Sequence, residues 1–93
     1  QKQRPAIIIQ NDIGNKYSSI TIVAPITSQG IDKIFPMEIL LTSENSGLKK
    51  ESKALFNQIR AVDKRRLIKK IGNIDKETIE KMNEAITISL GLW

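Results

Sequence analysis

Residues 18–27 read SSITIVAPIT, and their alternation decides the fold class. Ile20, Ile22, Ala24 and Ile26 point to one side, and Ser19, Thr21, Val23, Pro25 and Thr27 to the other. A period of two with one richer apolar row is the pattern of a strand that lies with one face on a core. Thr27 closes this strand on the less apolar row.

Upstream, residues 11–18 (NDIGNKYS) gather Asn, Asp, Gly and Ser and predict a turn or loop. Before them stands AIIIQ, residues 6–10, a strand opened by Pro5. Proline locks its own backbone and has no N–H for a ladder, so it is tolerated at a strand start or an edge. Arg4, a permanent cation, is held at the mouth of that apolar strand.

Downstream, Pro36 starts a third strand, PMEILLT (36–42), and SENSGLKKES (43–52) forms a polar connection with room for a short turn. KALFNQIRAV (53–62) reads as a fourth strand carrying Asn57, Gln58 and Arg60 in its interior. DKRRL (63–67) looks like a capped helical turn, and IKKIGNI (68–74) like a last short strand weakened by Gly72. Asp75 is a good N-cap for a helix over KETIEKMNEAITISL (76–90), with Ile74 and Ile79 at the staple positions and Gly91 placed to end it. Ile79, Met82, Ile86 and Leu90 are the expected buried stripe, and Glu77, Glu80 and Glu84 the solvated face. The expected fold is mainly β (α+β): a small, partly open antiparallel barrel closed by a C-terminal helix.

The 93 residues suit one domain, 1–93, and an apolar share of 40% suits a globular one. A formal charge of +5 favours a polyanionic partner, with Lys49, Lys50 and Lys53 in one basic group and Arg60, Lys64, Arg65, Arg66, Lys69 and Lys70 in another. The chain has no His and no Cys, which excludes the familiar nucleophile–base pairs, disulfides and nearly every structural zinc site. Asp12, Asp32, Glu38, Glu44, Glu51 and Asp63 are scattered, so neither a metal nor a cofactor is expected. With no long apolar run or signal-like start, a cytoplasmic location without membrane contact is the default. A start at Gln-Lys-Gln without Met suggests that an N-terminal segment precedes these residues.

RPAIIIQNDIGNKYSSITIVAPIT (4–27), NQIRAVDKRRL (57–67) and NEAITISLGL (83–92) together resemble the MazF/PemK family of toxin endoribonucleases. The resemblance implies an SH3-like barrel, a homodimer and metal-independent cleavage of single-stranded mRNA at short sequences, silenced by a cognate acidic antitoxin. It also implies a first strand and loop of the family that lie outside this chain. The family's catalytic arginine and threonine match Arg4 and Thr27. Gln58 and Arg60 agree with a family stretch in which Asn57 replaces a glutamate, and Gln29, Phe35, Asn57 and Gln58 become the candidate RNA-binding residues.

Without the family, each of these has a plainer reading: Arg4 a solvated strand-end arginine, Thr27 a β-former, Phe35 a core residue. Arg60 paired with Asp63 would pin a strand end. Two other functions fit the same barrel. One is a CcdB-like toxin that poisons gyrase through the helix end SLGLW, with Trp93 at its tip; the other is a non-catalytic nucleic-acid-binding barrel.

Overall fold

The computed structural model describes residues 3–92, so Trp93 lies outside the described residues. Five strands, β1 (Ala6–Ile8), β2 (Ile20–Thr27), β3 (Glu38–Leu41), β4 (Ser52–Leu55) and β5 (Arg60–Asp63), form an open antiparallel sheet. Three helices accompany them: α1 (Asp12–Tyr17), α2 (Ser43–Ser46) and α3 (Lys76–Leu90). The expected antiparallel β fold with a C-terminal helix is present.

Everything is organised by β2. One edge pairs with β1, setting Ala6 opposite Pro25 and Ile8 opposite Val23. The other edge pairs with two strands in succession: β4 beside Ile26 and Thr27, and β5 beside Ile20–Val23. The single strand expected over residues 53–62 is therefore two, separated by a 3-10 turn at Phe56–Gln58. Pro25 supplies the reason. The Ile26 N–H points to the β1 side, donating to the Pro5 carbonyl at 3.2 Å, so position 25 faces the opposite edge, where proline has no N–H to offer. The ladder lapses there and the partner chain lifts away. It uses the release to sink Phe56 completely into the core beside Ile7, Ala24, Ile39, Leu41, Ala54 and Ala85.

The alternation along β2 also needs correction. Thr21 and Val23, from the less apolar row, are buried, whereas Ile20 is exposed. Residues 11–18 explain it, because they form α1 rather than a plain loop. Asn11 caps it by accepting the Gly14 N–H at 2.8 Å, and Asn15 then accepts the Thr21 hydroxyl at 2.7 Å. The helix so docked covers Thr21, which the sequence assigns to the less apolar row.

The polar connection contains α2, closed by a capping box between Thr42 and Asn45 and ended by Gly47 at φ 79°. Residues 68–74 form no strand. Their chain instead crosses the end of α2 at backbone contact: a Cβ on Gly72 would stand 2.8 Å from the Ser46 carbonyl oxygen. The turn at Lys64–Arg66, capped by Asp63, is present as expected.

Asp75 caps α3 by accepting the Thr78 N–H at 2.8 Å, and Gly91 ends it in the left-handed region. Its buried face is turned from the expected stripe. Thr78 and Ala85 are buried, Met82 and Ile86 pack beside the core, and Ile79 and Leu90 are 39% and 50% exposed. The helix lies close to the turn at Phe56, where Ser89 donates to the Phe56 carbonyl at 2.8 Å, so small side chains face the sheet and larger ones flank it. Glu77, Glu80 and Glu84 are exposed, as expected. Among the described residues, no helix is long and apolar enough to cross a membrane.

Candidate active site

The register of β1 on β2 builds the site. With Ala6 opposite Pro25 and Pro5 bonded to Ile26, the same pairing continued by one residue sets Arg4 opposite Thr27. Both line a cleft of about 380 Å³ whose walls include Gln29, Lys49, Lys50 and Ser52. Arg4 is exposed, and among the described residues it forms no ion pair. Its planar fork of N–H donors is thus available to an anion, and Pro5 stiffens the backbone behind it.

Thr27 is half-buried and its hydroxyl oxygen accepts the Gln29 N–H at 3.1 Å. That bond orients the oxygen while consuming only a lone pair. The hydroxyl proton stays available for a ligand, and among the described residues no hydrogen bond uses it. Lys49 and Lys50, both exposed in the lining of the cleft, add positive charge. A guanidinium, a hydroxyl and two ammonium groups around one cleft can hold a phosphate and oppose the charge that grows on it during transfer.

The candidate RNA-binding residues divide. Gln29 lies in the cleft with Arg4 and Thr27. Phe35 stands apart from it at the start of β3, not in the core but 44% exposed, with the Lys33 and Lys53 ammonium groups 5.1 and 5.6 Å from its ring centre. Asn57 and Gln58 are exposed on the 3-10 turn and do not line the cleft. They share Phe35's end of the sheet, where the Phe56 N–H donates to the Met37 carbonyl at 3.1 Å.

The Arg60–Asp63 pair does not form. Asp63 is held by Arg65, 2.9 Å away, and this hydrogen bond, assisted by the Arg65 backbone N–H, keeps the Asp63 carboxyl below its ordinary range. Arg60 is exposed on β5 opposite Val23. Two residues escaped the sequence reading as a pair. Lys53, counted there as one of a basic surface group, is only 7% exposed and bonds Glu38 at 2.9 Å. A lysine between Ser52 and Ala54 in a strand carries no signal of that partner, which lies fifteen residues back.

The chain matches, over residues 1–90, the family model described as PemK-like, MazF-like toxin of type II toxin-antitoxin system. It is 43% identical to Endoribonuclease EndoA of Bacillus subtilis over 89 residues, covering 96% of this chain and 77% of that protein. Identity is also 43% with Endoribonuclease MazF of Staphylococcus saprophyticus, covering 96% and 74%. Among solved structures, the Mycobacterium tuberculosis toxin MazF-mt6 superposes with a TM-score of 0.87 at 21% identity, covering 97% of this chain and 88% of that one. A mycobacterial endoribonuclease in complex with its cognate antitoxin gives 0.85 at 20% identity, covering 97% and 82%. An arginine set across from a threonine in a basic cleft thus sits on a shared fold and a shared sequence, and the chain belongs to the PemK/MazF-like family of type II toxin-antitoxin toxins.

Proposed function

We propose that this endoribonuclease toxin cuts single-stranded mRNA at short sequences without a metal ion, by attack of the RNA's own 2′-hydroxyl on the adjacent phosphate. The products are a 2′,3′-cyclic phosphate and a 5′-hydroxyl. The observation that carries the reading is Arg4 opposite Thr27 in one basic cleft.

Attack turns the phosphate into a phosphorane with extra negative charge on its equatorial oxygens. The Arg4 fork donates to those oxygens, and the Thr27 hydroxyl adds a further donor. A guanidinium is too weak a base near neutral pH to take the 2′-hydroxyl proton, so water accepts that proton as the 2′-oxygen bonds to phosphorus. Arg4 stabilises the charge and donates a proton to the departing 5′-oxygen as its bond to phosphorus breaks, regaining one from water. Gln29 at the cleft, and Phe35, Asn57 and Gln58 at the neighbouring end, meet splayed bases by hydrogen bonds and stacking. The substrate places the protein in the cytoplasm.

Two partners accompany this reading. A second copy completes a homodimer by burying exposed apolar residues such as Ile8, Ile20 and Leu90. An acidic antitoxin segment folds over the basic cleft, supported by a relative solved with its cognate antitoxin.

Incubating the purified protein with a long transcript in EDTA tests the function. Discrete cuts ending in cyclic phosphate are expected, and an intact transcript or a metal requirement would overturn it. An intact transcript together with inhibited gyrase would favour the CcdB-like alternative.

A further inference from the structure

Lys53 is buried on the wrong face of the sheet. It pairs with Thr27 on β2 and with Leu40 on β3, so it projects opposite to Ala54, which is in the core. A lysine on that face should reach water. Instead the 28–36 segment folds over it: the ammonium donates to the Lys33 carbonyl at 3.1 Å, and a Cβ on Gly30 would stand 3.5 Å from it.

Its other partner is Glu38, 2.9 Å away, and both side chains are 9% exposed. The same Glu38 carboxylate accepts the Phe35 N–H at 3.0 Å. The pair therefore grips the segment's backbone at residues 33 and 35, between Gln29 and the end of the sheet that carries Asn57. An exposed ion pair would matter little; a covered one tied into backbone hydrogen bonds loses much when either partner is removed.

We propose that the Lys53–Glu38 pair is a positioning device that holds the 28–36 segment over the sheet and thereby sets which RNA sequence is cut. The inference rests on the endoribonuclease reading above. Neither residue touches the reacting phosphate, because both are covered and their hydrogen bonds are made within the protein. They act through Phe35 and Gln29, which the segment carries.

The full-length protein is compared with its Lys53→Met, Glu38→Gln and exchanged Lys53→Glu/Glu38→Lys variants. Read-outs are cut sites in a randomised RNA pool, kcat and KM on the preferred site and on single-base changes of it, thermal unfolding, and amide exchange of residues 28–36. Lys53→Met should leave kcat on the preferred site within about threefold, raise KM and lower discrimination against single-base changes roughly tenfold, and speed exchange of the segment.

Glu38→Gln, which keeps an oxygen for the Phe35 N–H, should lose less and serves if Lys53→Met does not fold. The exchanged pair restores opposite charges, but glutamate cannot donate to the Lys33 carbonyl, nor lysine accept from Phe35. It should recover thermal stability without recovering discrimination.

Recovered discrimination in the exchanged pair, or an unchanged cut-site profile and exchange rate in the single variants, would overturn the inference. A fall in kcat with discrimination intact would overturn it too. A wild-type protein that makes no discrete cuts removes the endoribonuclease reading itself, and this inference with it.

Discussion

Thr27 has a cation on either side, and the two are opposites. Arg4, across from it toward β1, is exposed and without an ion pair among the described residues; Lys53, its partner on β4, is covered and bonded to Glu38 and the Lys33 carbonyl. A cation in water with its donors open is suited to an incoming phosphate. One whose donors are spent inside the protein holds structure. Under the proposed mechanism the same sign of charge, one strand apart, serves two purposes, and solvent exposure together with the available partners tells them apart.

The strongest way to break this contrast is Arg4→Ala. Turnover should fall by about three orders of magnitude, whereas RNA binding weakens by roughly one phosphate contact and thermal unfolding hardly moves. Single-turnover cleavage beside a melting curve checks it, and an Arg4→Ala protein that folds and cuts at the wild-type rate ends the mechanism. Lysine at position 4 should rescue poorly, since a point charge does not reproduce the fork.

A smaller loss is expected at Thr27, where alanine deletes one donor and should cost roughly ten- to a hundredfold in kcat. Serine there should keep most of the activity. If serine fails as badly as alanine, the methyl group's packing matters more than the hydroxyl.

The cleft lysines sharpen the comparison further. Lys49→Ala and Lys50→Ala should each weaken RNA binding about equally for all sequences, and each should flatten the salt dependence by roughly 0.7 in log–log slope for a single strand. Fluorescence anisotropy across a salt series measures it.

The smallest effect separates the two cations by pH. Burial raises the Glu38 carboxyl, but hydrogen bonds from Lys53 and the Phe35 N–H, with the Lys53 charge, more than offset this and leave it below its ordinary 4.5. A carboxyl lowered on folding contributes stability that is present above about pH 4.5 and lost as pH falls through the lower folded value. The stability difference between wild type and Glu38→Gln should therefore shrink steadily below about pH 4.5, as urea titrations at several pH values would show. Subtracting the variant matters, because Asp63 and Asp75 are lowered as well, by Arg65 and by the Thr78 cap.

Local signals in the sequence determined much of this. The alternation at 18–27, Pro5 opening an edge strand, the Asp63 and Asp75 caps and Gly91 at the helix end each depend on a few neighbouring residues, and each element formed where those residues placed it. Pro25 could have announced the break between β4 and β5, but only once β2's edges were known, since a missing N–H matters on one edge and not the other. Arg4 and Thr27 became candidates through their place in a familiar order. Their juxtaposition came from the β1–β2 register.

What only the tertiary structure decided was coverage. Docking of α1 buried Thr21, close approach at Phe56 turned α3 onto Ala85, and the 28–36 segment closed over Lys53. Burial depends on which distant segment lies on top of a residue, and a period of two or of 3.6 states a side chain's direction without stating what it meets. The sequence could therefore point Lys53 outward, but not put a lid over it.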